Sequence, residues 1–415
     1  MGVQEQSDLA QGGASQTPRA ALIQIAGNRN FLALLTANTI LASAFPIQLI
    51  LAGLAGLMLA PSAGLATLPA SLQTLAGLLA AAPVSLLMGR LGRAAGFALG
   101  AVLTIAGGLI AVQALYAQSF GLLCLGHFSM GAGWATFQYF RFAAGEAVGV
   151  SLRPVAISLM LSSGLVAALV GPEVFILARD ALDPIPFAGA YVALAVLAVI
   201  GLIPLAAVRL PKPSRAKPGG ARIWPVAREA LSRPAVAQAV AIAAVAQGVM
   251  VFLMVPTPMA MVGCGFGDET ASDVIRWHIV AMFAPSFFTG FLIQRFGAKR
   301  IAVTGLAVIA SAAMFAASGI AALNFYGALI VLGIGWNFSF IGATSLLAAD
   351  VSEEEKAAVQ GANDTIIALV STLAAFAAGA VVSGPGWAVL ALMSVGVVAL
   401  CLIALARLSG RAARA

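Results

Sequence analysis

The chain has 415 residues, of which 61% are hydrophobic, 9% are charged and 44 are glycine, with a formal net charge of +7. A water-soluble domain carries about 25% charged residues, so this composition excludes a soluble globular protein and points to one solvated by lipid. The positive charge does not signal nucleic-acid binding, because lysine and arginine fall in short gaps between apolar segments and at the C-terminus, where they fix membrane orientation.

Residues 1–28 are polar and too weakly apolar for a signal peptide, and read as a cytoplasmic tail. A membrane span needs about 20 mostly apolar residues. Six candidates follow at 31–53, 66–88, 95–116, 119–140, 155–178 and 187–208. A polar stretch over 209–234 comes next, rich in arginine and lysine and broken by Pro211, Pro213, Pro218, Gly219 and Gly220. Such breakers argue against one continuous helix. Six more spans lie at 236–259, 271–293, 301–320, 323–346, 359–381 and 387–406. The expectation is an all-α integral membrane protein of twelve helices in two pseudo-symmetric six-helix bundles, 29–208 and 235–407, joined by a cytoplasmic linker, with residues 408–415 as a short tail.

Basic residues sort by side. Arg90 and Arg93 follow span two, Arg141 and Arg153 flank the gap after span four, Arg295, Lys299 and Arg300 follow span eight, and Arg407, Arg411 and Arg414 end the chain. The opposite gaps hold only Arg179, with Arg276 just inside span eight. The positive-inside rule then places both termini and the linker in the cytoplasm, and the expected site is the bacterial inner membrane.

The halves read as diverged repeats. Gly89-Arg90-Leu91-Gly92-Arg93 after span two is echoed after span eight by Gln294-Arg295-Phe296-Gly297-Ala298-Lys299-Arg300, about 205 residues on. Gly131-Ala132-Gly133-Trp134 in span four is echoed by Gly333-Ile334-Gly335-Trp336 in span ten, 202 residues on. Two matches at nearly one offset indicate a parallel duplication. On these features the chain from about residue 30 to 407 resembles the major facilitator superfamily, whose 6+6 helices carry a basic loop after helices two and eight. That loop's aspartate is replaced here by Gly89 and Gln294, so what the resemblance implies is the fold and a secondary transport function without that aspartate's charge relay.

No P-loop, HExxH, GxSxG or dinucleotide fingerprint is present, so neither an enzyme nor a self-contained ATP-driven pump is expected, and no permanent cofactor. Cys124, Cys264 and Cys401 have neither CxxC nor zinc spacing.

Ionisable and soft side chains inside spans are the functional candidates. Met250 and Met254 lie four residues apart on span seven, and His278 and Met282 four apart on span eight. A four-residue step puts each pair on one helix face. Met254 and His278 are equidistant from residue 266, as are Met250 and Met282. If the two spans run antiparallel from that turn, the pairs share two levels about 10 and 16 Å below the helix ends, the lower one near the bilayer midplane. Thioethers and imidazole suit Cu(I) and not hard cations. The alternative is packing, since methionine is a flexible apolar filler.

The paired motifs resemble those of the CcoA-like bacterial copper importers, which supply copper for cbb3-type cytochrome oxidase. The resemblance implies copper as transported substrate, handled by these four residues, with delivery to a cytoplasmic copper chaperone or copper-exporting ATPase. The same subfamily resembles certain riboflavin transporters. Further candidates for metal handling or capture are His127 and Met130 on span four, and Met261 and Cys264 after span seven. Arg141 and Glu146 form a candidate gating pair, and Glu173 and Asp364 are candidates for proton coupling. Three readings stand: a copper importer; a carrier of an organic solute such as riboflavin or a drug-like molecule, stacked by Trp134, Phe137, Tyr139, Trp336, Phe338 and Phe340; and a copper-binding membrane assembly factor that does not transport.

Overall fold

The structure is a computed structural model that describes residues 23–149, 152–210, 223–352 and 354–412. Residues 1–22 of the expected N-terminal tail, 413–415 of the C-terminal one and 211–222 of the linker lie outside these residues. The helices are α1 Arg29–Leu59, α2 Leu68–Leu91, α3 Arg93–Tyr116, α4 Phe120–Phe137, α5 Phe140–Glu146, α6 Arg153–Ala178 and α7 Ala188–Ala206 in the first half. The second half has α8 Ile223–Ser232, α9 Pro234–Met254, α10 Thr257–Gly263, α11 Asp268–Phe283, α12 Ser286–Phe296, α13 Ala298–Ala317, α14 Ala322–Ala349, α15 Lys356–Ser383 and α16 Trp387–Ala412. A short 3-10 turn, Ala63–Leu65, precedes α2. A helix pairs every backbone group within itself, which lipid requires.

Among the described residues ten helical segments are long and apolar enough to cross a membrane, and eleven when the bent pair α11 and α12 is one span. The remaining expected span, 119–140, is α4, an 18-residue helix diluted by His127, Ser129 and four glycines and followed by α5. Span seven is interrupted at Val255–Pro256 and runs on as α10. Span eight bends by 40° between α11 and α12, where Pro285 lacks the N–H that would continue the ladder. Outside the spans, α8 closes the expected linker region and buries Ala227 against Ala358 and Ala362 of α15.

The two Gly-x-Gly motifs do the same work in each half. A β-carbon at Gly131 would collide with the backbone of Gln73 on α2, and one at Gly333 would stand 2.7 Å from the His278 carbonyl oxygen on α11. The second glycine faces the next helix: a β-carbon at Gly133 would lie 2.7 Å from the Gly100 oxygen on α3, and one at Gly335 2.9 Å from the Gly305 oxygen on α13. Gly92 and Gly297 join α2 to α3 and α12 to α13, with φ of +94° and +87°, a conformation that disfavours any β-carbon. The duplication read from the sequence is therefore a duplication of contacts.

The side of the bundle where the chain ends emerge is called here the terminus side, and the opposite one the far side. The halves meet on the far side. There Gly53 of α1 touches Pro258 of α10, Gly64 approaches Ser383, and Gly379 of α15 packs on Thr67. On the terminus side, α5 packs on α1 and α6, α12 on α13 and α14, and α8 on α9 and α15, each within its own half.

Gly131→Ala and Gly333→Ala are each expected to lower stability by about 1–3 kcal/mol, the cost of overpacking a close contact. Gly121→Ala, whose β-carbon would meet nothing within 4 Å, should leave the melting temperature in detergent unchanged. Equal melting of all three variants would contradict the packing account.

Candidate functional site

The central helices of the two halves carry the site. In the second half, α14 lies between α9 and α11 and packs on both, so α9 and α11 do not run side by side. The facing levels expected for Met254 with His278, and for Met250 with Met282, assumed that neighbours in sequence are neighbours in the bundle, and the helix order breaks that premise. All four side chains are buried, and the three methionines belong to one continuous apolar core. Among the described residues no three His, Cys, Asp or Glu side chains converge on a point that could hold a metal ion.

His278 nevertheless has an unusual environment. Its Nδ1 donates to the Leu329 carbonyl of α14 at 2.7 Å, which fixes the proton on Nδ1. Nε2 is then an unprotonated acceptor, and among the described residues it is buried without a hydrogen-bond partner. Below it Asn337 of α14 clamps the bend of span eight. It donates to the Met282 carbonyl and to Ser286 Oγ, both at 2.7 Å, and accepts from Thr289 Oγ1 at 2.7 Å.

His127, in contrast, is complete. Its Nδ1 donates to Gln73 Oε1 at 2.9 Å, and its Nε2 accepts from the Tyr191 hydroxyl at 2.8 Å. Gln73 in turn donates to Gln48 at 3.2 Å. This chain ties α1, α2, α4 and α7 together in a fully buried site. Met130 lies in the core, where it packs against Gly107 of α3. The expectation of a ligand pair at His127 and Met130 is corrected accordingly: both ring nitrogens are engaged, and the thioether fills a gap.

On the far side Met261 is fully buried, which removes it from the surface expected to capture metal. Cys264 is exposed beside an apolar cleft of about 280 Å³ lined by Leu57, Met259, Val382 and Trp387. Cys124 is buried, and all three cysteines are free.

The ionic candidates sort by side as well. Arg179 at the end of α6 holds Asp268 at 2.6 Å and Glu269 at 2.7 Å across the halves. Glu173 of α6 binds Arg276 of α11 at 2.5 Å, and Arg276 also binds Asp273, which accepts from Tyr326 at 2.7 Å. Glu173 is thus part of the far-side seal. The pairing expected between Arg141 and Glu146 is not what forms. Glu146 binds Arg93 at 2.7 Å within the first half, because Arg93 begins α3 directly opposite it. Arg141 lies instead over the Phe142 ring at 4.9 Å and within electrostatic reach of Asp364 on α15.

Two half-buried aromatic platforms complete the centre. Phe45 of α1 stacks on Trp134 of α4 at 4.1 Å and 18°. Trp336 stacks on Phe340 of α14 at 4.9 Å and 14°, and its indole N–H donates to Gln247 of α9 at 2.7 Å. The two tryptophans are the repeat-related pair. Gln48, Gln73, Gln247 and Asn337 were not singled out in the sequence, although an amide inside an apolar span is itself a signal, since it needs partners there.

Two repeated helical bundles, sealed at one end by cross-half ion pairs and lined at the centre by paired aromatics, define a secondary carrier. No protein-family model matches the chain. The chain is 39% identical over 384 residues to the riboflavin transporter RfnT of Brucella anthropi, covering 92% of this chain and 96% of that one. It is 29% identical to the MFS-type transporter YdeG of Bacillus subtilis over 81% of this chain and 82% of that one. A crystal structure of the nucleoside transporter NupG has the same fold, with a TM-score of 0.72 at 14% identity over 91% of this chain and 99% of that one. The chain belongs to the major facilitator superfamily.

His127→Ala is expected to destabilise the first half, because Gln73 and Tyr191 each lose a buried partner at about 1–3 kcal/mol apiece. Thermal unfolding in detergent reads the loss, and transport per folded molecule should stay within about twofold of the unmodified protein. That twofold allowance is the scatter expected where a residue supports structure alone.

Proposed function

We propose that this chain is a secondary carrier that moves a planar heteroaromatic solute of the flavin class across the bacterial inner membrane by alternating access. The observation that carries the reading is the pair of stacked platforms, Phe45–Trp134 in the first half and Trp336–Phe340 in the second, each centred on one of the two repeat-related tryptophans. A flat ring system held between two such faces gains stacking contact from both bundles, and Gln247, whose oxygen accepts from the Trp336 indole, adds an amide group for its polar edge. A relative 39% identical over 92% of the chain is a riboflavin transporter, which favours the same class. The terminus side carries Arg90, Arg93, Arg141, Arg153, Arg295 and Arg300, and the far side Arg179 and Arg276, so the positive-inside rule orients the termini to the cytoplasm.

A second reading, copper import, is favoured by one observation. His278 has the arrangement of a metal-binding imidazole, with Nδ1–H anchored on a backbone carbonyl and a buried Nε2 lone pair left open. Against it, α14 separates that nitrogen's helix from the one bearing Met250 and Met254.

Uptake into proteoliposomes of labelled riboflavin and of radiolabelled copper separates the readings. Riboflavin uptake is expected, and Trp134→Ala and Trp336→Ala should each raise the half-saturating concentration about tenfold, since loss of one stacking face costs about 1–3 kcal/mol. His278→Ala should leave riboflavin uptake intact. Copper uptake abolished by His278→Ala, with no riboflavin uptake, would overturn the flavin reading. Copper bound without being moved would assign the chain to the non-transporting class.

A further inference from the structure

The 202-residue displacement that relates Trp134 to Trp336 also carries Phe45 of α1 onto Gln247 of α9. These two residues meet the repeated tryptophan in different ways. Phe45 stacks on the Trp134 ring at 4.1 Å, whereas Gln247 takes the Trp336 indole N–H on its amide oxygen at 2.7 Å. Between Leu41 and Gly56 of α1, Phe45 is the one side chain that is not buried, so this position borders open space. Gln247, Trp134 and Trp336 are half-buried in the same way. At this level the first half offers an aromatic face alone, and the second half an aromatic face with an amide beside it.

The indole fixes which way that amide is turned. An indole N–H donates and never accepts, while an amide has one end that accepts and one that donates. The end of Gln247 that meets Trp336 is therefore the oxygen, and the NH2 group points away from the indole. Turned over, the amide would set N–H against N–H and leave the indole donor unpaired, which costs a hydrogen bond in a half-buried site. Among the described residues the Gln247 nitrogen has no hydrogen-bond partner. The open end of this amide thus donates and does not accept. The Trp134 indole N–H, also without a partner among the described residues, is a further donor.

We propose that Gln247 determines which edge chemistry the carrier accepts. It presents donors only, so the favoured solute is a flat ring whose edge beside Trp336 carries acceptors, either carbonyl oxygens or unprotonated ring nitrogens. A ring of the same shape with amino groups at that edge is rejected, because N–H would face N–H and both would stay unpaired. The proposal rests on the flavin-class reading and narrows it; a flavin ring, with two carbonyls at one end, meets the requirement. Trp336 has two parts in this: its face stacks on the ring, and its N–H positions the amide. Since the repeat puts Phe45 in place of an amide in the first half, the polar edge is read from α9 and the ring binds one way round.

The test uses the full chain in nanodiscs and two flat ligands, alloxazine and the diamino ring in which amino groups replace both of its carbonyls. Titration calorimetry reads binding without requiring transport. The parent protein should bind alloxazine at least about tenfold more tightly than the diamino ring, the effect of leaving a donor unpaired in a partly buried site. Gln247→Met, which removes the donors and keeps the side-chain length, should weaken alloxazine and bring the two affinities within about threefold of each other. Gln247→Glu, which still accepts from Trp336 but has no donor when ionised, should reverse the preference. Trp336→Phe keeps a stacking face and frees the amide to turn, so the ratio should again fall to about threefold or less, whereas a purely structural loss would weaken both ligands alike. A parent protein that binds the diamino ring as tightly as alloxazine, or an undiminished preference in Gln247→Met or Trp336→Phe, would overturn the proposal and leave the flavin reading standing. A parent protein that binds neither ring would overturn the flavin reading and this proposal with it.

Discussion

The fold depends on how closely helix backbones can approach in lipid. Between apolar helices in a bilayer there is no hydrophobic drive to associate, so contact rests on van der Waals packing and a few polar bonds. Here the approach is made by repeat-related glycines: Gly131 on Gln73, Gly133 on Gly100, Gly333 on His278 and Gly335 on Gly305. Each Gly-x-Gly segment seats one central helix against two neighbours at once. The tryptophan that follows, Trp134 or Trp336, is thereby turned away from both contacts and toward the middle of the molecule, where its aromatic partner stacks on it. The motif builds the scaffold and aims the platform in a single stretch of four residues.

The same close approach decides what the two histidines can do. His127 sits among α1, α2 and α7, where Gln73 and Tyr191 come near enough to engage both nitrogens. A buried polar group so satisfied rigidifies its surroundings. His278 is pressed against α14 by Gly333 and finds only a backbone carbonyl, Leu329. The open Nε2 sits in apolar surroundings, a costly arrangement for a nitrogen in lipid. That cost distinguishes His278 from His127, whose two nitrogens are both engaged.

Spans, repeat and the charge difference between the two sides were all legible in the sequence, because lipid forces a long apolar period and a short glycine motif onto each crossing. The glycines Gly92 and Gly297 were legible for the same reason, since a tight join between helices requires their positive φ. The site was legible only in part. Lateral helix order is set by three-dimensional packing, so the register drawn between Met254 and His278 assumed a neighbour relation that α14 occupies instead. The partner of Glu146 was misread for a related reason: Arg141, five residues away, is closer in sequence, but Arg93, 53 residues away, is closer in space. The breaks at Pro256 and Pro285 were written in the sequence as prolines, though not the direction in which each broken helix continues.

The placement of charge also bears on how such a molecule can move. Solvent-exposed ion pairs contribute only about 0–1 kcal/mol each, and Glu173, Glu269 and Asp180 are all more than half exposed. A seal made of several weak, directional contacts holds the far side shut yet yields to a modest push, whereas an apolar seam of equal area would not release. Since about 1.4 kcal/mol changes a population tenfold, one further attraction on the opposite side is enough to tip the balance between the two ends. The seats of the two Gly-x-Gly motifs lie within each half, while the pairs of Arg179 with Asp268 and Glu269 and of Arg276 with Glu173 lie between halves, so at these positions rigidity and mobility fall to different kinds of contact. A carrier built this way can rock its halves without repacking either core.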